Sequence, residues 1–250
     1  MNDESKINKL ILKAAYALII VLIIAVIALL ILKYEVEGEQ NMPFKLSSIL
    51  VLSNAEGYQE IENKEYRWDT EIYQTNDIYL NIEKNKNYKE TEIIKSINIE
   101  NIQINQEPLV GEIKFYRAAN EESNLFVYNE KYEIKDNVEY IGDTKSDLNN
   151  LKISNQGGTL ILRIVNKTGK EFKTNEKEFN HSGKLLNEVE IKNEEVKSTV
   201  SFDLVINLES EISFKANIKL ELPVEDITKE GYTSKEIKDM KNIVFKREQL

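Results

Sequence analysis

The apolar run Ala14–Leu32 constrains this chain more than any other feature. It holds about 19 residues without a charge between Lys13 and Lys33. As a helix it spans about 28 Å, close to the roughly 30 Å hydrocarbon thickness of a bilayer. A soluble helix must show water a polar face, and this run has none. A cleavable export signal has a shorter apolar stretch and small residues at its boundary. Here the run ends in bulky residues, LLILKYEVEG, and Val36-Glu37-Gly38 is a poor cleavage site. The expectation is a single retained transmembrane helix over residues 14–33, with the lipid bilayer as its partner.

Lysines on the flanks give the orientation. Lys6, Lys9 and Lys13 precede the run, whereas Lys33 and then only Lys45 follow nearby. Basic residues concentrate on the cytoplasmic side and acidic ones count for little. Residues 1–13 therefore read as a short cytoplasmic tail, 34–44 as a stalk and 45–250 as a domain outside the cytoplasm. Within the span, Ala14, Ala17, Val21, Ala25 and Ala28 share one helical face. Small faces let transmembrane helices approach closely, so this seam is a candidate packing surface. No GxxxG pattern strengthens it, and a lipid-facing seam is the simpler reading.

Beyond the stalk, apolar residues alternate instead of recurring at helical spacing. Val200, Phe202, Leu204, Ile206 and Leu208 share one parity. After a turn at Glu209-Ser210, Ile212, Phe214, Ala216, Ile218, Leu220 and Leu222 share a parity again. This is the pattern of a half-buried antiparallel hairpin. Similar rows run through Ile78–Ile82, Ile113–Phe115 and Leu160–Ile164. Ile97, Ile99, Ile102 and Ile104 slip parity once, which predicts a bulge near Asn101. Asn166-Lys167-Thr168-Gly169 reads as a reverse turn. Thr233-Ser234-Lys235-Glu236 has capping-box spacing and predicts one or two helical turns, followed by a short strand at Ile243–Lys246. Sheets with one wet face must hide the other against a second sheet. The expected fold class is therefore all-β, an antiparallel β-sandwich of Ig-like or jelly-roll-like type after the transmembrane helix.

Composition limits the chemistry. There is no Cys, so disulfides, thiolate metal sites and cysteine nucleophiles are excluded. The net charge of −10 disfavours nucleic acid and anionic lipid surfaces. His181, the single histidine, lies in the polar stretch KEFNHSGK and reads as a solvated loop residue. A histidine-based zinc site needs more than one imidazole. The stretch Asp136–Asn150 is rich in oxygen ligands, with Asp143, Asp147 and Asn149, but lacks the EF-hand spacing and reads as a loop. Gly157-Gly158 precedes a strand, so it is a turn and not a phosphate cradle. Asn166 and Asn180 fit the glycosylation acceptor pattern.

The aromatic group Tyr66, Trp68, Tyr73, Tyr79 and Tyr88 could stack on a sugar. Trp68 shares parity with Thr70 and Ile72 and should face the core, which leaves Tyr73 and Tyr79 as a candidate exposed patch. No cofactor and no catalytic set is expected. The sequence reading is a non-catalytic binding or structural module of the cell envelope, with an envelope protein or glycan as partner. The alternatives are a displayed cell-wall or carbohydrate hydrolase and an accessory subunit of a membrane complex.

Overall fold

The structure, a computed structural model, describes residues 2–61, 68–119, 122–143, 151–175 and 184–248. It divides into two compact units, 1–40 and 41–250. The first is built on one helix, α1 (Asn2–Glu37). Its segment Ile11–Glu37 is 27 residues long with a mean hydropathy of 3.3 over its apolar window, long and apolar enough to cross a membrane. Gly38 closes the helix. It adopts φ +69° and donates its N–H to the Tyr34 carbonyl at 2.8 Å, the left-handed stop that glycine adopts without strain.

The expected stalk at 34–44 is thus split. Tyr34–Glu37 continue the helix, whereas Met42, Pro43 and Phe44 are buried in the second unit.

That second unit is dominated by strands. They are β1 (Phe44–Ile61), β2 (Trp68–Lys84), β3 (Ile94–Gln106), β4 (Glu112–Arg117), β5 (Val138–Gly142), β6 (Leu151–Ile153), β7 (Gly157–Thr174), β8 (Ser198–Leu208), β9 (Ser213–Leu222), β10 (Tyr232–Ile237) and β11 (Lys246–Glu248). Two one-turn helices, α2 (Leu185–Glu188) and α3 (Asn193–Val196), lie between β7 and β8. Among the described residues, one sheet has five strands in the order β10-β1-β2-β7-β4 and the other has six, β11-β9-β8-β3-β5-β6. Among the described residues, only the pairing of β5 with β6 is parallel.

Alternation places the core. Ile49, Val51, Ile78, Leu80, Leu160 and Leu162 of the five-stranded sheet share one hydrophobic cluster with Ile97, Ile99, Phe202, Leu204, Ile218 and Leu220 of the six-stranded sheet. Each such burial contributes about 1.5–3 kcal/mol. The cluster ends at a buried polar belt. Ser53 Oγ donates to Asn76 Oδ1 at 2.7 Å, and Gln74 Nε2 donates to the same oxygen at 2.9 Å. Beyond it, Ala55 and Ile72 meet Leu185, Leu186 and Ile191 in a second cluster.

Of the local expectations, the bulge at Asn101 holds and the others meet a different outcome. The slip near Asn101 is a bulge: the β3–β8 register breaks between Glu100 and Gln103, and Asn101 takes φ +52°. Asn166–Gly169 is not a reverse turn but lies inside β7. Lys167 pairs with Tyr73 and Lys170 with Ile72, so the extra residues form a bulge with Gly169 at φ +67°. Thr168 Oγ1 donates to the Ile72 carbonyl at 2.5 Å and accepts from the Lys170 N–H at 3.2 Å, which settles the backbone groups the bulge displaces. Thr233–Glu236 is strand, not helix, because β10 pairs residue by residue with β1 from Ile49↔Ile237 to Asn54↔Tyr232. The last strand is β11, later than the expected Ile243–Lys246. Within Asp136–Asn150, Val138–Gly142 is β5 and not loop.

Candidate binding cleft

The outer face of the five-stranded sheet carries rows of side chains set by strand register. Ser48, Asn81 and Thr159 make a polar row, with Asn81 Nδ2 donating to Ser48 Oγ at 2.8 Å and Thr159 Oγ1 donating to Asn81 Oδ1 at 2.7 Å. Leu50, Tyr79 and Ile161 make the next row, and Leu52, Asp77, Arg163 and Tyr116 the third. An arginine in the apolar strand LILRIV needs carboxylate partners when it is covered. It has two. Arg163 Nη2 donates to Asp77 Oδ2 at 2.8 Å while Nε donates to Asp77 Oδ1, a bidentate fork. Arg163 Nη1 donates to Glu56 Oε1 at 3.2 Å and to the Tyr128 hydroxyl at 2.7 Å. The Tyr128 hydroxyl in turn donates to Glu56.

The cover comes from residues after β4. Phe126, Tyr128 and Tyr132 fold onto the outer face and build a third cluster with Tyr73, Tyr116 and Val165. The rings are in contact: Tyr58 stacks on Tyr73 at 5.0 Å between centroids, and Tyr128 meets Tyr58 at 4.9 Å and Tyr116 at 5.1 Å. The Arg163 guanidinium lies 4.4 Å from the Phe126 ring centre, a cation–π arrangement. Beside this cluster opens a cleft of about 310 Å³ lined by Glu56, Tyr58, Asn124, Leu125, Phe126, Tyr128 and Arg163.

Electrostatics follow from this geometry. Burial works against the Arg163 charge, but the hydrogen bonds and charge of Asp77, followed by Tyr128 and Glu56, outweigh it and hold the guanidinium more firmly protonated than usual. Burial and then the Glu56 carboxylate push the Tyr128 phenol well up. Burial, helped by the hydrogen bond with Glu71, does the same for Tyr73. These phenols are neutral donors at ordinary pH, not bases.

The sequence-derived candidates are distributed differently from expectation. Tyr73 is 5% exposed and is no surface patch, because the segment following β4 covers it. Tyr79 is half-buried on the outer face, between Leu50 and Ile161, so the two tyrosines do not form one platform. Thr70 and Ile72 face inward and are fully buried, and Trp68 is half-buried. Ala14, Ala17, Val21, Ala25 and Ala28 are exposed with the rest of the apolar window of α1, none of which is buried. His181, Asn180, Tyr66, Asp147, Asn149 and Asn150 lie outside the described residues. Asn166 is fully buried and its Nδ2 donates to the Val110 carbonyl at 2.9 Å, so it is no glycosylation acceptor in the folded chain.

Sequence reasoning missed Glu56, Tyr58, Phe126, Tyr128 and Arg163. One signal was present: Arg163 is one of only four arginines and interrupts an apolar strand. Among the described residues, no group of three or more His, Asp or Glu is arranged to hold a metal ion. No protein family, curated protein or solved structure matches this chain.

Proposed function

We propose that α1 crosses a membrane once, with its lysine-rich start in the cytoplasm, and displays the strand unit outside as a non-catalytic binding module of β-sandwich type. The observation that carries this reading is the helix itself: 27 residues, mean hydropathy 3.3, with none of its apolar window buried. Exposed to water, that surface would be an aggregation liability; in lipid it is at home. The orientation is supported by Lys6, Lys9 and Lys13 on one side against Lys33 and Lys45 on the other. Binding is supported by the cleft over Arg163, whose aromatic walls and few convergent polar groups are those of a recognition site.

The natural absence of cysteine makes the test clean. Single Ser5→Cys and Leu109→Cys variants are exposed, in intact cells, to a maleimide that cannot cross membranes. Leu109 is 81% exposed. Labelling at 109 but not at 5, with the protein in the membrane fraction, is the expected result. Labelling at 5 alone reverses the orientation, and recovery in the soluble fraction removes the anchor.

A further inference from the structure

The cleft beside Arg163 carries a charge imbalance that constrains its ligand. Two carboxylates, Glu56 and Asp77, converge on one guanidinium. Arg163 spends Nε and Nη2 on Asp77 and Nη1 on Glu56 and Tyr128, so little donor capacity remains for an incoming anion. Glu56 lines the cleft with its side chain 26% exposed, whereas Asp77, 14% exposed, is not part of the lining. The group as a whole keeps one negative charge, and it faces the cleft through Glu56. The electron-rich faces of aromatic rings add to the same sign.

The walls specify shape as well as charge. Tyr58 has one ring face on Tyr73 and also lines the cleft, and Phe126 and Leu125 supply further apolar surface. Asn124 contributes an amide at the rim. A volume of about 310 Å³ is at the small end of ligand pockets and suits a single ring. A sugar presents apolar C–H faces for stacking and polar groups at its edge for a carboxylate and an amide. We propose that this cleft binds a saccharide ring bearing a free ammonium group, the ammonium meeting Glu56 and the ring stacking on Tyr58. This rests on the reading of the cleft as a binding site and adds the chemistry of its ligand.

The test uses the full chain in nanodiscs and titration calorimetry with three probes: a glucosamine tetramer, the N-acetylglucosamine tetramer, and a lysine blocked at both ends. The expected result is binding of the glucosamine tetramer at least tenfold tighter than that of the other two, lost as pH rises past the amine pKa. Glu56→Gln should weaken it by tenfold or more. Because Glu56 also supports Arg163, the exposed rim residue Leu125 provides a second test independent of that support. Leu125→Lys should abolish binding and Leu125→Glu should strengthen it, with thermal unfolding unchanged in both. Equal binding of the acetylated and free tetramers overturns ammonium recognition while leaving a binding module. Tighter binding of the lysine probe overturns the saccharide. Binding of none overturns both this inference and the cleft as a recognition site.

Discussion

Gly111 shows how much one missing side chain can decide. It adopts φ +105°, and a Cβ there would stand 1.8 Å from Asn166 Oδ1 and 2.8 Å from the Lys167 carbonyl. The buried amide of Asn166 fills the space a side chain would take. Gly111→Ala is expected to cost at least about 2 kcal/mol, combining backbone strain with a clash in a close-packed site. Thermal unfolding should show a drop of several degrees. The buried phenols give a second residue-scale expectation. Burial, followed by the Glu133 carboxylate, pushes Tyr116 from 10.0 up to about 12. Burial is also the leading cause for Tyr73, Tyr128 and Tyr140, which move the same way. Below the unfolded value both states keep the proton and the stabilisation is complete. Above it the unfolded chain ionises first, so stability falls as pH climbs from about 10 to 12. Denaturant midpoints should therefore hold steady to pH 9 and then decline, with phenolate absorbance rising together with unfolding. Free titration of Tyr73, Tyr116, Tyr128 or Tyr140 near pH 10 in the folded protein would contradict this burial.

At the scale of elements, local signals and sheet pairing compete. Asn101 is where they agree. Its positive φ lets the bulge in β3 turn the side chain onto β8, where Nδ2 donates to Asp203 Oδ2 at 2.7 Å. Asn217 and Lys215 complete the shell around that carboxylate at 2.8 and 3.1 Å. Asn101→Gly keeps the backbone and loses one hydrogen bond, a cost of about 1 kcal/mol. Asn101→Val also forces a β-branched residue into the left-handed region and should cost about 1–2 kcal/mol more. Denaturant midpoints of the two variants should rank in that order. Thr233–Glu236 is where the signals disagree. A capping box contributes about 1 kcal/mol, and an isolated helix this short is marginal in water. The open edge of β1 offers six paired residues instead, so the segment extends. Asn166–Gly169 repeats the lesson: turn-forming residues sit in a strand because Thr168 satisfies the bulge.

For the whole molecule, the expectation concerns α1. If it crosses a bilayer, arginines at Leu22 and Ala25, near the middle of the apolar run, each add about 2.5–3.5 kcal/mol to the cost of insertion. The double variant should move from the membrane fraction to the soluble or aggregated fraction, whereas the same pair placed at Ser47 and Lys45 should not. Unchanged membrane retention would mean the anchor lies elsewhere. The strand unit itself was largely legible, because the period-2 alternation of β9 is that of a sheet with one face hidden. What alternation misses is a second cover. The outer face of the five-stranded sheet reads as wet from the strands alone, yet Tyr73 is buried there by Phe126 and Tyr128.

From the sequence alone follow the apolar helix, the β-rich unit, the hairpin at Glu209-Ser210 and the bulge at Asn101, because each rests on residues within a few positions of one another. The cleft does not follow from it. Glu56, Asp77, Tyr128 and Arg163 come from β1, β2, the segment after β4 and β7, and only register and packing bring them together. Charge neutralisation and ring contact act through space, so their partners are chosen by the tertiary fold and leave no spacing along the chain to read.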